Sequence, residues 1–154
     1  MGDVQQFMSP AQQKLAKLVL DSLVPARVNL PGAGAIGVAG YLDRAGGASL
    51  PLRRTLTDVL AAIDTVCHAD YNKTFADLDG DQRTAVLQHV EADHGKLFTE
   101  LLRRTYAGYY SEPAVLDALG IDARPPQPRG FYIEPFDPVV LESVRKRDPL
   151  YREA

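Results

Sequence analysis

One cysteine, no tryptophan and two methionines are all that 154 residues supply of the rarer side chains. A lone Cys67 cannot form an intrachain disulfide, so the fold rests on packing, and cysteine usage leaves the compartment open. No Cys-x-x-Cys pair occurs, which excludes a zinc ribbon, a cysteine-held iron–sulfur cluster and c-type haem attachment within the chain. Apolar runs are short, and none approaches the roughly 20 residues of a membrane-spanning helix. An excess of positive charge is missing too. Lys and Arg number 17 against 20 Asp and Glu, a net charge of −3, with both signs spread along the chain. Without a basic face, neither nucleic acid nor an anionic membrane surface is an expected partner. The opening Met1-Gly2-Asp3-Val4-Gln5-Gln6 has neither the basic nor the apolar stretch of an export signal. The expectation is a cytoplasmic protein, or a periplasmic one if the sequence is a trimmed mature form.

Helical periodicity is what the chain does have. Ser9-Pro10-Ala11-Gln12 reads as a helix start, with Ser as N-cap, Pro at the first position and Gln three residues on. Leu15, Leu18, Val19 and Leu23 then share a face. Val24-Pro25 ends that helix, and residues 25–34 read as a loop. A short helix is expected over 36–44, broken at Gly46-Gly47. A long one carries Leu52, Leu56, Val59, Leu60, Ile63, Val66 and Cys67 at helical spacing. Asp79 with Gln82 marks another capped start, followed by Val86, Leu87 and Val90. Residues 94–109 carry Leu97, Phe98, Leu101, Leu102 and Thr105. A short helix runs from Pro113 to a stop at Gly120, and a last one is expected over 139–147. Nothing alternates at period two. The expected fold is all-α, one domain over 1–154 with four to five main helices and an extended Pro/aromatic-rich arm from about residue 120 to 154.

Two motifs match the letter of a known site and fail its context. Gly32-Ala33-Gly34-Ala35-Ile36-Gly37 spells G-x-G-x-x-G, but a dinucleotide loop needs a buried strand immediately before it. Pro31 stands there, in a stretch too broken for a central strand. Asp77-Leu78-Asp79-Gly80-Asp81 resembles a calcium loop, yet its glycine stands at the fourth position instead of the sixth, and Gln88 holds the twelfth. Helix capping explains Asp79 better. The histidines, His68, His89 and His94, form no His-x-x-x-His pair. Cys67 beside His68, with Asp70 near, is the one conceivable nucleophile cluster, against a default of core packing for a cysteine on an apolar helix face. Glu91 and Asp93 with Lys96 read as a solvated face.

The C-terminal third is the most distinctive part. Thr105-Tyr106-Ala107-Gly108-Tyr109-Tyr110-Ser111-Glu112-Pro113 closes a helix, and Gly130-Phe131-Tyr132 follows a run rich in proline. With Gly37-Val38-Ala39-Gly40-Tyr41-Leu42-Asp43-Arg44 earlier, this pattern resembles the gluconate 2-dehydrogenase subunit 3 family. The resemblance implies a small helical subunit, without a catalytic, cofactor or metal site of its own. Its partner would be a large FAD-binding dehydrogenase of the glucose-methanol-choline type acting on a sugar or polyol, with a c-type cytochrome as a further possible partner. Small subunits of that family often carry a twin-arginine export signal, but Arg53-Arg54 lies mid-chain and cannot serve as one. The surface expected to meet the flavoprotein comprises Tyr109, Tyr110, Pro113, Phe131, Tyr132 and Phe136, because rigid aromatic-rich segments gain contact area at low entropic cost. The same arm can instead wrap its own core. Two other functions stay open: a small helical enzyme using Cys67 and His68, and a helical adaptor with an unrelated partner.

Overall fold

The computed structural model describes residues 6–120 and 136–147. Seven α-helices are present among them: α1 (Pro10–Leu23), α2 (Val38–Ala48), α3 (Leu50–Tyr71), α4 (Gly80–Asp93), α5 (Gly95–Tyr109), α6 (Pro113–Ala118) and α7 (Glu142–Arg145). The first five are substantial, and no β-strand occurs among the described residues. The fold is all-α, as the periodicity requires. The chain divides into two units, Met1–Ala123 and Arg124–Ala154. The second holds α7 and the 3-10 turn before it, Pro138–Leu141, where one helix over 139–147 was expected.

Within the first unit α3 is the central helix, packed against α1, α2, α4 and α5. It buries Leu52, Leu56, Val59, Leu60, Ile63, Val66 and Cys67, the same stripe its sequence spacing marks. Both anticipated capping boxes form. Ser9 Oγ accepts from the Gln12 N–H and Gln12 Oε1 from the Ser9 N–H. Asp79 Oδ1 accepts from the Gln82 N–H at 2.8 Å. Asp79 is thus committed to starting α4, which answers the calcium-loop resemblance with a helix cap. Asn72, at φ 50°, closes α3 in the left-handed region.

Two local expectations need correction. The fully buried residues of α1 are Ala16, Val19 and Leu20, so of the expected Leu15–Leu18–Val19–Leu23 face only Val19 is sealed. The apolar stripe of α1 is wider than its contact, and Leu15, Leu18 and Leu23 lie half-buried at the edge. Secondly, α2 does not break at Gly46-Gly47 but continues to Ala48. The Phe7 ring lies on Gly46 so closely that any Cβ would overlap it. The glycine therefore serves a contact and not a stop. Ser49 alone separates α2 from α3, and its Oγ accepts from the Leu52 N–H. Arg53 reaches back to the carbonyls of Gly46 and Gly47 while its guanidinium lies 5.7 Å from the centre of the Phe7 ring.

The segment before α1 is strapped over α2 by one carboxylate. Asp43, 1% exposed, accepts the N–H groups of Phe7 and Met8 on Oδ1, at 2.8 and 2.9 Å, and the Gln13 amide on Oδ2 at 3.1 Å. A buried charge is tolerable only with this degree of pairing. Among the described residues, no buried side-chain polar atom lacks a partner.

Candidate functional site

The glycine-rich loop over residues 32–37 enters α2 without a preceding strand. A tight turn comes before it, in which Arg27 and Leu30 exchange backbone hydrogen bonds at 2.9 and 3.1 Å and Asn29 takes φ 70°. Asp21 of α1 accepts the Gly34 N–H at 2.8 Å. A Cβ on Gly34 would run into the Lys17 carbonyl and the Asp21 carboxylate, and one on Gly32 into the same carboxylate. One on Gly37 would meet the Glu112 carboxylate at 2.6 Å. Gly32 and Gly34 thus serve a close approach to α1, Gly37 faces only the tip of the Glu112 side chain, and carboxylates stand where a pyrophosphate would need donors. The residues here do not fit a dinucleotide or flavin phosphate.

Cys67 and His68 do not meet as a pair. Cys67 is fully buried on the inward face of α3, and burial, aided by Asp64, pushes its thiol up to about 11. His68 points outward, its Nδ1 2.8 Å from the Asp64 carbonyl oxygen. A buried, protonated thiol is a poor nucleophile. We expect the folded protein to resist thiol-specific reagents at pH 8 and to react at the rate of a free cysteine once unfolded. Fast labelling of the native chain would contradict this. Cys67→Ala should cost about 1–2 kcal/mol through the small cavity it leaves, measured by denaturant unfolding.

His89 ties α4 to the end of α3. Its Nδ1 lies 3.0 Å from Asp70 Oδ2 and its Nε2 3.3 Å from Asp93 Oδ2. The carboxylates sit on opposite ring nitrogens, so the three side chains do not converge on one metal. No group of three or more His, Cys, Asp or Glu suited to a metal ion is found among the described residues. The Asp70 hydrogen bond, aided by Asp93, raises the His89 pKa above its ordinary 6.5. The sign follows from linkage: a raised imidazole contributes stability that is complete below about 6.5 and fades as pH rises through the higher folded value. Thermal melting should therefore drop as pH rises above about 6.5, and His89→Gln should flatten that slope. An unchanged slope in the variant would place the effect elsewhere.

Two recesses open on the first unit. One, of about 440 Å³, lies between α1, α3 and the 3-10 turn at Phe75–Asp77, with Leu15, Leu18, Leu60 and Phe75 as its apolar lining. The other, about 410 Å³, lies between the first turns of α3 and the outer side of α5, where Ser49, Thr55, Lys96, Glu100 and Arg104 line it. In that second recess Glu100 is gripped by both neighbouring guanidiniums, Arg103 at 2.7 Å and Arg104 at 2.8 Å. They hold its carboxyl down to about 2.

The expected contact residues separate sharply. Tyr109 is 3% exposed and its hydroxyl donates to the Pro31 carbonyl at 2.9 Å, so it belongs to the chain's own core and offers a partner no surface. Burial, then the neighbouring Tyr110, raises its phenol pKa. Tyr110 is 53% exposed, edge-on to Tyr109 with ring centres 5.3 Å apart. Pro113 is exposed at the start of α6. Phe136, in the second unit, is 67% exposed. Phe131 and Tyr132 lie outside the described residues. The structure adds Tyr106, whose half-exposed ring stands 6.2 Å from that of Tyr110, and Val28, which projects from the tip of the 27–30 turn. Helical spacing on α5 was the signal for Tyr106, four residues before Tyr110. For Val28 the sequence carried none.

Among the described residues, no helix is long and apolar enough to cross a membrane. The family model described as gluconate 2-dehydrogenase subunit 3 matches residues 10–120, from the first residue of α1 to the left-handed Gly120 after α6. No curated protein and no solved structure matches the chain. The chain belongs to the gluconate 2-dehydrogenase subunit 3 family.

Proposed function

We propose that this chain is a non-catalytic helical subunit that stabilises a large FAD-dependent dehydrogenase of the glucose-methanol-choline type, acting on a sugar or polyol. The observation that carries the reading is the family match over residues 10–120, since the family's name makes the chain one subunit of a dehydrogenase assembly. The interior supports it: the one thiol is sealed and the glycine loop is closed by acids. In this reading FAD and the hydride chemistry reside in the large subunit, and a c-type cytochrome takes the electrons onward. The contact surface on the first unit is Tyr106 and Tyr110 at the end of α5 with Pro113 at the start of α6.

Co-expression of this chain with the flavoprotein encoded beside it, followed by purification through a tag on this chain, tests the reading. The expected product is a stoichiometric complex carrying one flavin, with sugar or polyol oxidation present in the complex and absent from this chain alone. Flavin or turnover in the isolated chain, or failure of the two proteins to associate, would sink it. Within the complex, Tyr110→Ala should weaken association, because an exposed ring at the centre of an interface contributes on the order of 2 kcal/mol.

A further inference from the structure

The buried residues of α5 are Phe98, Leu101, Thr105, Gly108 and Tyr109. Its outward line runs Lys96, Thr99, Arg103, Tyr106 and Tyr110, all exposed, at alternating steps of three and four. That spacing keeps five side chains on one stripe about four turns long. A solvated helix face ordinarily mixes both charge signs. This one has cations at its start, two tyrosines at its end and no acid along the line, in a chain whose net charge is −3.

The one carboxylate alongside, Glu100, is already committed. Its two oxygens take Arg103 Nη2 at 2.7 Å, Arg103 Nε at 2.9 Å and Arg104 Nε at 2.8 Å. A guanidinium has five N–H donors, so each arginine keeps donors free while its rotamer is fixed. Fixing the side chains beforehand lowers the entropy lost when a further carboxylate binds. Beside them opens the recess of about 410 Å³, with Lys96 and Arg104 on its α5 wall and the hydroxyl residues Ser49 and Thr55 on its α3 wall.

We infer that this face of α5 receives an acidic segment of the partner protein, its carboxylates entering at Lys96, Arg103 and Arg104 and its apolar side chains lying on Tyr106 and Tyr110. The inference rests on the subunit reading above and specifies the chemistry of the partner. A protein fits better than a polyanion or a lipid surface. Two cations on the stripe, with Arg104 beside it, are few for a phosphate backbone in a net-acidic chain, while the tyrosine end demands an apolar counterpart.

The test is binding of the fluorescently labelled chain to the purified flavoprotein at low and high salt. Wild type should bind more weakly as salt rises. Lys96→Glu/Arg103→Glu should weaken low-salt binding about tenfold and flatten the salt dependence. Lys73→Glu, beyond the far end of α3, should change neither. Circular dichroism checks that the double variant folds, and Lys96→Glu alone decides the matter if it does not. Wild-type affinity in the charge variant, with Tyr110→Ala still weakened, overturns the inference and leaves the subunit reading standing. No binding by wild type removes the subunit reading and this inference with it. Salt-insensitive binding to the flavoprotein, or tighter binding to vesicles of anionic lipid, also overturns it.

Discussion

Replacing Asp43 by alanine is expected to remove about 3 kcal/mol of stability, a large share of what a domain of this size possesses. The side chain is buried and accepts three hydrogen bonds, two from the backbone of Phe7 and Met8 and one from Gln13. The alanine variant leaves the buried Met8 N–H without its acceptor. It also frees Phe7 from its seat on Gly46. Asp43→Asn keeps one acceptor oxygen and should lose about 1 kcal/mol, since an amide can still take the two backbone donors on one atom. Urea unfolding measures both, with the slope against denaturant unchanged if only stability has moved. A loss in Asp43→Ala below about 1 kcal/mol would mean that the strap contributes little and that the segment before α1 is held by its apolar contacts alone.

Gly34→Ala should cost about 3 kcal/mol, the upper end of what overpacking does. The added methyl would meet the Lys17 carbonyl, which is helical backbone and cannot swing away as a side-chain tip can. Either the 25–34 loop lifts from α1, losing the Asp21 bond to the Gly34 N–H, or α1 shifts. Gly80→Ala is the control. Nothing lies within 4 Å of a Cβ there, and the substitution should be neutral or stabilise by about 0.5 kcal/mol. This pair of variants also separates two meanings of the glycine motif. A nucleotide loop would keep the fold and lose a ligand on substitution. A packing loop loses stability and has no ligand to lose, and that is the expected result.

Local chemistry made most of the helices legible before any coordinates. Ser9 with Gln12 and Asp79 with Gln82 announce helix starts because a cap satisfies backbone donors within three residues, a purely local event. The α3 stripe was equally plain, since seven apolar residues at helical spacing leave one way to face a core. What sequence could not show was set by contacts far along the chain. Gly46-Gly47 looks like a break until Phe7 is placed on it. Tyr109 and Tyr110 are neighbours of the same type, and only the distant Pro31 carbonyl decides which is core and which is surface. On α5 the tyrosines drew attention through composition. The Glu100–Arg103–Arg104 group, by contrast, is local, three and four residues apart on one helix, and its spacing stood in the sequence unread.

The hydroxyl of Tyr109 on the Pro31 carbonyl joins residues 78 apart in sequence. It therefore links two segments that would otherwise open independently. The 25–34 loop is exposed over residues 25–29 and has no regular helix, so its amides should exchange with solvent through local openings. Such an opening must break this bond or carry Tyr109, and with it the edge-on Tyr110, along. Hydrogen exchange at the Ala33 and Gly34 amides thus becomes a meter of the end of α5: whatever immobilises Tyr110 should slow deuterium uptake in the loop that Tyr109 holds.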